Sequence, residues 1–192
     1  MRRFVVVILI ALFAVACGSD GSASSTAEGK KYVDAMMKSY GSSAAKKAIN
    51  ESQARCISVA TIDAAGVDGL KKAGITPEGL SHGSSFNTVG KKLPKNAIGK
   101  VATAIVNAKC VNVGEVLLKS GAEQSAAFAA IPKTKVRCIF LTLAAPAAAQ
   151  QAFADSLLGL SRGDTEFTAS FRNEARTKKV LKQCKVDEKL LR

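Results

Sequence analysis

The sequence predicts an all-α fold, a disulfide-stapled bundle of seven to nine helices built as two diverged helical repeats. Three observations lead there. Past residue 30, apolar side chains recur at three- and four-residue spacing rather than in alternation. Four cysteines, Cys56, Cys110, Cys138 and Cys184, are well spaced in a chain that opens on an export signal. The segment ARCISVATIDAAG around Cys56 parallels VRCIFLTLAAPAA around Cys138, and AKCVNVGEVLLK around Cys110 parallels KQCKVDEKLLR around Cys184.

Met1-Arg2-Arg3 is followed by thirteen apolar residues, Phe4 to Ala16. That run is shorter than the roughly 18 to 20 residues that span a hydrocarbon core. It fits the apolar region of a signal peptide, so residues 1–16 are expected to be removed. GSDGSASSTAEG, residues 18–29, has no apolar periodicity and reads as a flexible tether, which places the helical domain at 30–192. Its repeat halves fall at about 44–121 and 130–192.

Within the domain, Tyr32, Val33, Met36, Met37 and Tyr40 share one face of a first helix. One helix is expected over 44–65, with Ser42 or Ser43 as N-cap and Gly66 as its stop. Thr76-Pro77-Glu78 is a cap, a first-turn proline and a favourable acid, so a short helix starts there. HGSSFNTVGKK, residues 82–92, reads as loop. Pro94 opens a helix carrying Ile98, Val101, Ile105 and Val106, and Asn112 caps a short one with Glu115 three residues on. Further helices are expected over 133–144, 146–158 and 165–183, and briefly after Asp187. VRCIFLTL also fits a strand by its β-branched content, but its parallel with the Cys56 segment favours helix.

Four cysteines allow three pairings. There is no CxxC pair and His82 is the single histidine, so zinc-knuckle spacing is missing and no metal site is expected. If one repeat was once stable alone it carried its own bridge, which favours Cys56 with Cys110 and Cys138 with Cys184. Each bridge would close a loop of about 50 residues, worth about 4 kcal/mol in the chain-entropy picture.

The apolar run ends Ala14-Val15-Ala16-Cys17. This resembles the lipobox of a bacterial lipoprotein signal peptide. The resemblance implies a diacylglycerol on Cys17, removal of residues 1–16, and a lipid anchor on the extracytoplasmic face of the cell membrane. Two acyl chains on one residue give stable rather than marginal attachment. The four cysteines, the Cys-Val-x-Val-x-Glu-x-Leu-Leu element from Cys110 and the Gly-Val-x-x-Leu-x-x-Ala-Gly stretch from Gly66 are similar to small secreted proteins and lipoproteins of actinobacteria. That group has no assigned activity, so the resemblance implies fold and location only.

The net charge of +13 is the stronger functional signal. Cations are densest at the end of the chain, where Arg172, Arg176 and Lys179 align on one helical face with Lys178 and Lys182 close by. These five are the candidate anion-binding residues. The expected partners are the membrane, through the lipid on Cys17, and an anionic envelope polymer or acidic protein. Nucleic acid is not expected, since stacking aromatics are absent and the compartment is wrong. No GxSxG, HExxH, P-loop or dinucleotide motif is present, and no cofactor is implied. His82 near Ser84 or Ser85 reads as a solvated loop residue, and Asp63, Asp68 and Glu78 as helix-end charges. The expected function is therefore a non-catalytic binding or interaction module. A small hydrolase with an unrecognised site, or a structural envelope protein without a discrete ligand, are the alternatives.

Overall fold

The computed structural model describes residues 22–82, 85–120, 128–160, 174–187 and 190. The chain is all helical across them, with ten α-helices among the described residues against the seven to nine expected. In order these are α1 (Ala27–Gly41), α2 (Glu51–Ala65), α3 (Val67–Lys72), α4 (Pro77–Ser81), α5 (Ser85–Lys92), α6 (Lys95–Asn107), α7 (Val113–Lys119), α8 (Lys133–Ala144), α9 (Ala147–Leu157) and α10 (Glu174–Gln183). Single 3-10 turns at Ala23–Ser25 and Ala44–Lys47 flank α1. Residues 1–16, expected as a signal peptide, and Cys17 lie outside the described residues.

The folded part begins earlier than the composition suggests. Residues 22–29, read from sequence as tether, are part of the domain. Thr26 caps α1 by accepting from Gly29 N at 2.9 Å, and Asp63 near the end of α2 accepts from Ser24 N at 2.7 Å and Ser22 Oγ at 2.5 Å. Gly29 lies so close to the preceding 3-10 turn that a Cβ would stand 1.8 Å from Ala23 O. Small polar residues here serve hydrogen bonding and close approach, which a hydrophobicity pattern does not register.

Two other expectations change. The helix expected over 44–65 is interrupted, because Asn50 accepts from Gln53 N and Gln53 Oε1 accepts from Asn50 N, both at 2.9 Å, and this reciprocal capping box starts α2 at Glu51. Ser43 does not cap; its hydroxyl turns back to Tyr40 O. The loop expected over 82–92 is largely helix α5, whose Val89 is fully buried. Its glycine serves contact rather than flexibility, since a Cβ on Gly90 would lie 1.8 Å from Leu158 O at the end of α9. The strand alternative for VRCIFLTL fails, and that segment lies in α8.

Both disulfides join the expected partners, Cys56 with Cys110 and Cys138 with Cys184, at Cα separations of 5.4 and 5.8 Å. Cys56 and Cys138 are each the sixth residue of their helix, and Cys110 and Cys184 follow the ends of α6 and α10. Lys109 and Lys185, beside the latter two, adopt positive φ of 50° and 54°.

The cores do not follow the sequence halves. A larger core gathers α1 to α6 around Met36, Ile57, Ile62, Leu70, Val89 and Val101, with α9 contributing Ala154 and Leu158. A smaller one holds Val136, Ile139, Phe140 and Leu143 of α8 against Val180, Leu181 and Cys184, with Leu118 of α7, whose Val116 belongs to the larger core. Thus α7, from the first half, packs on α8, and α9, from the second, packs on α6. The α7–α8 crossing is close, since a Cβ on Gly114 would meet Leu141 Cα at 2.8 Å.

Candidate functional site

The sequence placed an anion-binding stripe on the last long helix, and α10 carries four of its five residues. Arg172 lies outside the described residues. Arg176 is only half exposed, and its Nη2 donates to Leu143 O in the last turn of α8. A cation there satisfies a carbonyl that the helix end leaves open and meets the negative end of its dipole. Arg176 therefore joins α10 to α8 instead of standing out as a free charge. Lys178 pairs with Glu174 at 2.7 Å, one turn back, and its hydrogen bond holds the Glu174 carboxyl below its ordinary value. Lys179 and Lys182 remain exposed, one turn apart.

The tertiary structure adds cations that the sequence did not single out. Lys135 Nζ donates to Lys185 O at 2.5 Å, which brings the start of α8 beside the end of α10. Two residues along α8, on another side, Arg137 forms an ion pair with Glu115 of α7. Between α7 and α8 lies a groove of about 330 Å3 lined by Glu115, Leu118, Lys119, Lys133, Thr134 and Arg137. Three of its six residues are cations and one is a carboxylate. The available signal was Lys133 and Arg137, four apart on one helical face. Lys119 comes from another helix, so spacing alone does not reveal the cluster.

Elsewhere some lysines are used in holding the fold. Lys71 pairs with Glu28 at 2.6 Å, and that hydrogen bond raises its ammonium pKa above the ordinary value. Lys92 Nζ donates to Gly74 O at 2.9 Å. Of the residues weighed for catalysis, His82 is exposed and makes no hydrogen bond to Ser85, while Ser84 lies outside the described residues. Ser85 is buried, and its backbone N–H donates to Ser39 Oγ at 3.4 Å beside a cavity of about 360 Å3 floored by Ile49, Phe86 and Leu157. Asp63 holds the N-terminal turn, whereas Asp68 and Glu78 sit in helix first turns. Among the described residues, no group of three His, Cys, Asp or Glu side chains is placed to hold a metal ion, and no helix is long and apolar enough to cross a membrane.

No family model, curated protein or solved structure matches this chain.

Proposed function

We propose that this protein is an extracytoplasmic lipoprotein, anchored to the cell membrane by lipid on Cys17, that binds an anionic component of the envelope without catalysis. The observation that carries this reading is the concentration of cations on the smaller core, where Lys179, Lys182, Lys185, Lys119 and Lys133 are all exposed. A field of one sign raises the local concentration of anionic partners. Two disulfides accord with an oxidising compartment. Because the domain already begins at Ser22, five residues past Cys17, an extended chain of that length reaches at most about 18 Å. The anchored domain would then stay close to the headgroups.

Co-sedimentation of residues 18–192, bridges intact, with vesicles of phosphatidylglycerol and with isolated anionic wall polymer tests the binding. Retention at low salt and release at high salt is expected, since screening shortens the reach of such contacts. Absence of binding to both materials at low salt would end this reading. Incorporation of a labelled fatty acid that is lost on Cys17→Ala tests the anchor separately.

A further inference from the structure

We infer that the groove between α7 and α8 is a phosphate-binding site, formed by Lys119, Lys133, Thr134 and Arg137. This rests on the anion-binding reading above and gives it a seat. Three cations from two helices converge on a cavity of about 330 Å3, which matches a phosphate group and its substituent more closely than an extended surface does. The single carboxylate in the groove, Glu115, is engaged by Arg137 and is half-buried. That pair orients the guanidinium edge and leaves its remaining N–H groups for a second acceptor. Among the described residues, Lys119 and Lys133 have no carboxylate or carbonyl partner, and neither does the Thr134 hydroxyl.

The backbone adds to this. Pro132 precedes α8 and supplies no capping side chain, and no acidic residue occupies its first turn. Lys135 N and Val136 N are taken by Pro132 O, while the amides of Lys133 and Thr134, in the first turn of α8, have no intrahelical acceptor. Lysines at the positive end of a helix dipole are unfavourably placed, and an anion in the groove reverses the sign of that interaction. Phosphate, with several acceptor oxygens and up to two negative charges, uses amides, hydroxyl and cations together; a single carboxylate satisfies fewer of them. Its source is either a lipid headgroup or a free phosphate ester or polymer.

The test uses the full chain in non-ionic detergent micelles, with three titrants: inorganic pyrophosphate, phosphatidylglycerol doped into the micelles, and soluble polyphosphate. Saturable shifts of the Lys133 and Thr134 amide resonances are expected with pyrophosphate. Lys119→Gln with Lys133→Gln should weaken it by about tenfold. Lys179→Gln with Lys182→Gln should change it less than about twofold. Thermal melts of both variants, unchanged from the parent, show that the fold is intact. A response to phosphatidylglycerol at matched phosphate identifies the headgroup as source, and a response to polyphosphate alone identifies the free polymer. Both outcomes support the site. Wild-type-like pyrophosphate binding in the groove variant, with loss in the Lys179/Lys182 variant, overturns the groove while leaving the basic face standing. Pyrophosphate binding without response to either envelope mimic keeps the groove and overturns the envelope reading. No response in any arm overturns both.

Discussion

The larger and smaller cores reach stability by different means. In the larger one, Thr26, Asn50 and Thr76 cap three helices with side-chain oxygens, and Tyr32 OH, itself buried, donates to Ile75 O at 3.0 Å. In the smaller one, α8 starts after a proline without a side-chain cap, and the disulfide sulfur of Cys184 is part of the packing. Phe128 and Phe140 meet edge to face at 5.4 Å, the one aromatic pair among the described residues. Capping does not divide the two, since α6 also starts after a proline without a side-chain cap and Asn112 caps α7; the smaller core is set apart by a disulfide cysteine, Cys184, buried within it. Cations not needed to cap or clamp are then left for solvent or ligand.

The largest expected effect separates the two bridges. By loop length each contributes similarly, about 4 kcal/mol. Yet Cys138→Ala with Cys184→Ala removes packing atoms from a small core, so α8 and α10 should lose hydrogen-exchange protection before the rest. Cys56→Ala with Cys110→Ala should leave α1 and α4 protected, since their contacts do not depend on that bridge. Uniform loss of protection in both variants would mean a single cooperative unit and break the comparison.

Gly90→Ala comes next. Its new Cβ would overlap a backbone carbonyl of α9, so α5 must shift, at a cost of about 1–3 kcal/mol by denaturant unfolding. Gly41→Ala meets nothing within 4 Å and serves as its control. A smaller loss, about 1 kcal/mol, is expected for Asn50→Ala, which breaks the capping box at α2. Gln53→Ala should repeat part of it, and stability equal to the parent's in both variants would show that the cap contributes nothing.

The smallest effect is electrostatic. Lys178 lowers the Glu174 carboxyl below its ordinary 4.5, so the pair favours the fold above that pH and the benefit is lost as pH falls through the lowered value. Carboxyl-carbon resonances should titrate below 4.5 for Glu174, and return to it in Lys178→Gln. Full exposure keeps the stability change slight.

Much of the fold was legible because its signals are local. The all-helical class and the α4 start at Thr76 follow from spacing and capping chemistry within a few residues. The pairing followed from taking each repeat as once stable alone with its own bridge, and the bridges found are those two. What failed was reading small residues as disorder. Ser24, Gly29 and Gly90 are buried or in close contact with another chain segment, and only the segment they touch gives them meaning. The basic site was half legible for a similar reason. Lys179 and Lys182 stand where helical spacing put them, but Arg176 turns inward to a carbonyl of α8 that no spacing argument locates.

By itself the sequence determined the helical class, the cysteine framework and the excess of positive charge, since periodicity, count and composition are properties of one chain segment at a time. The sharing of α7 between the two cores and the packing of α9 on α6 were decided only in the tertiary structure, and so was the meeting of Lys119 with Lys133 and Arg137. Both depend on which apolar faces bury one another, and burial is non-directional: many pairings of amphipathic helices satisfy the same pattern, and close packing selects one.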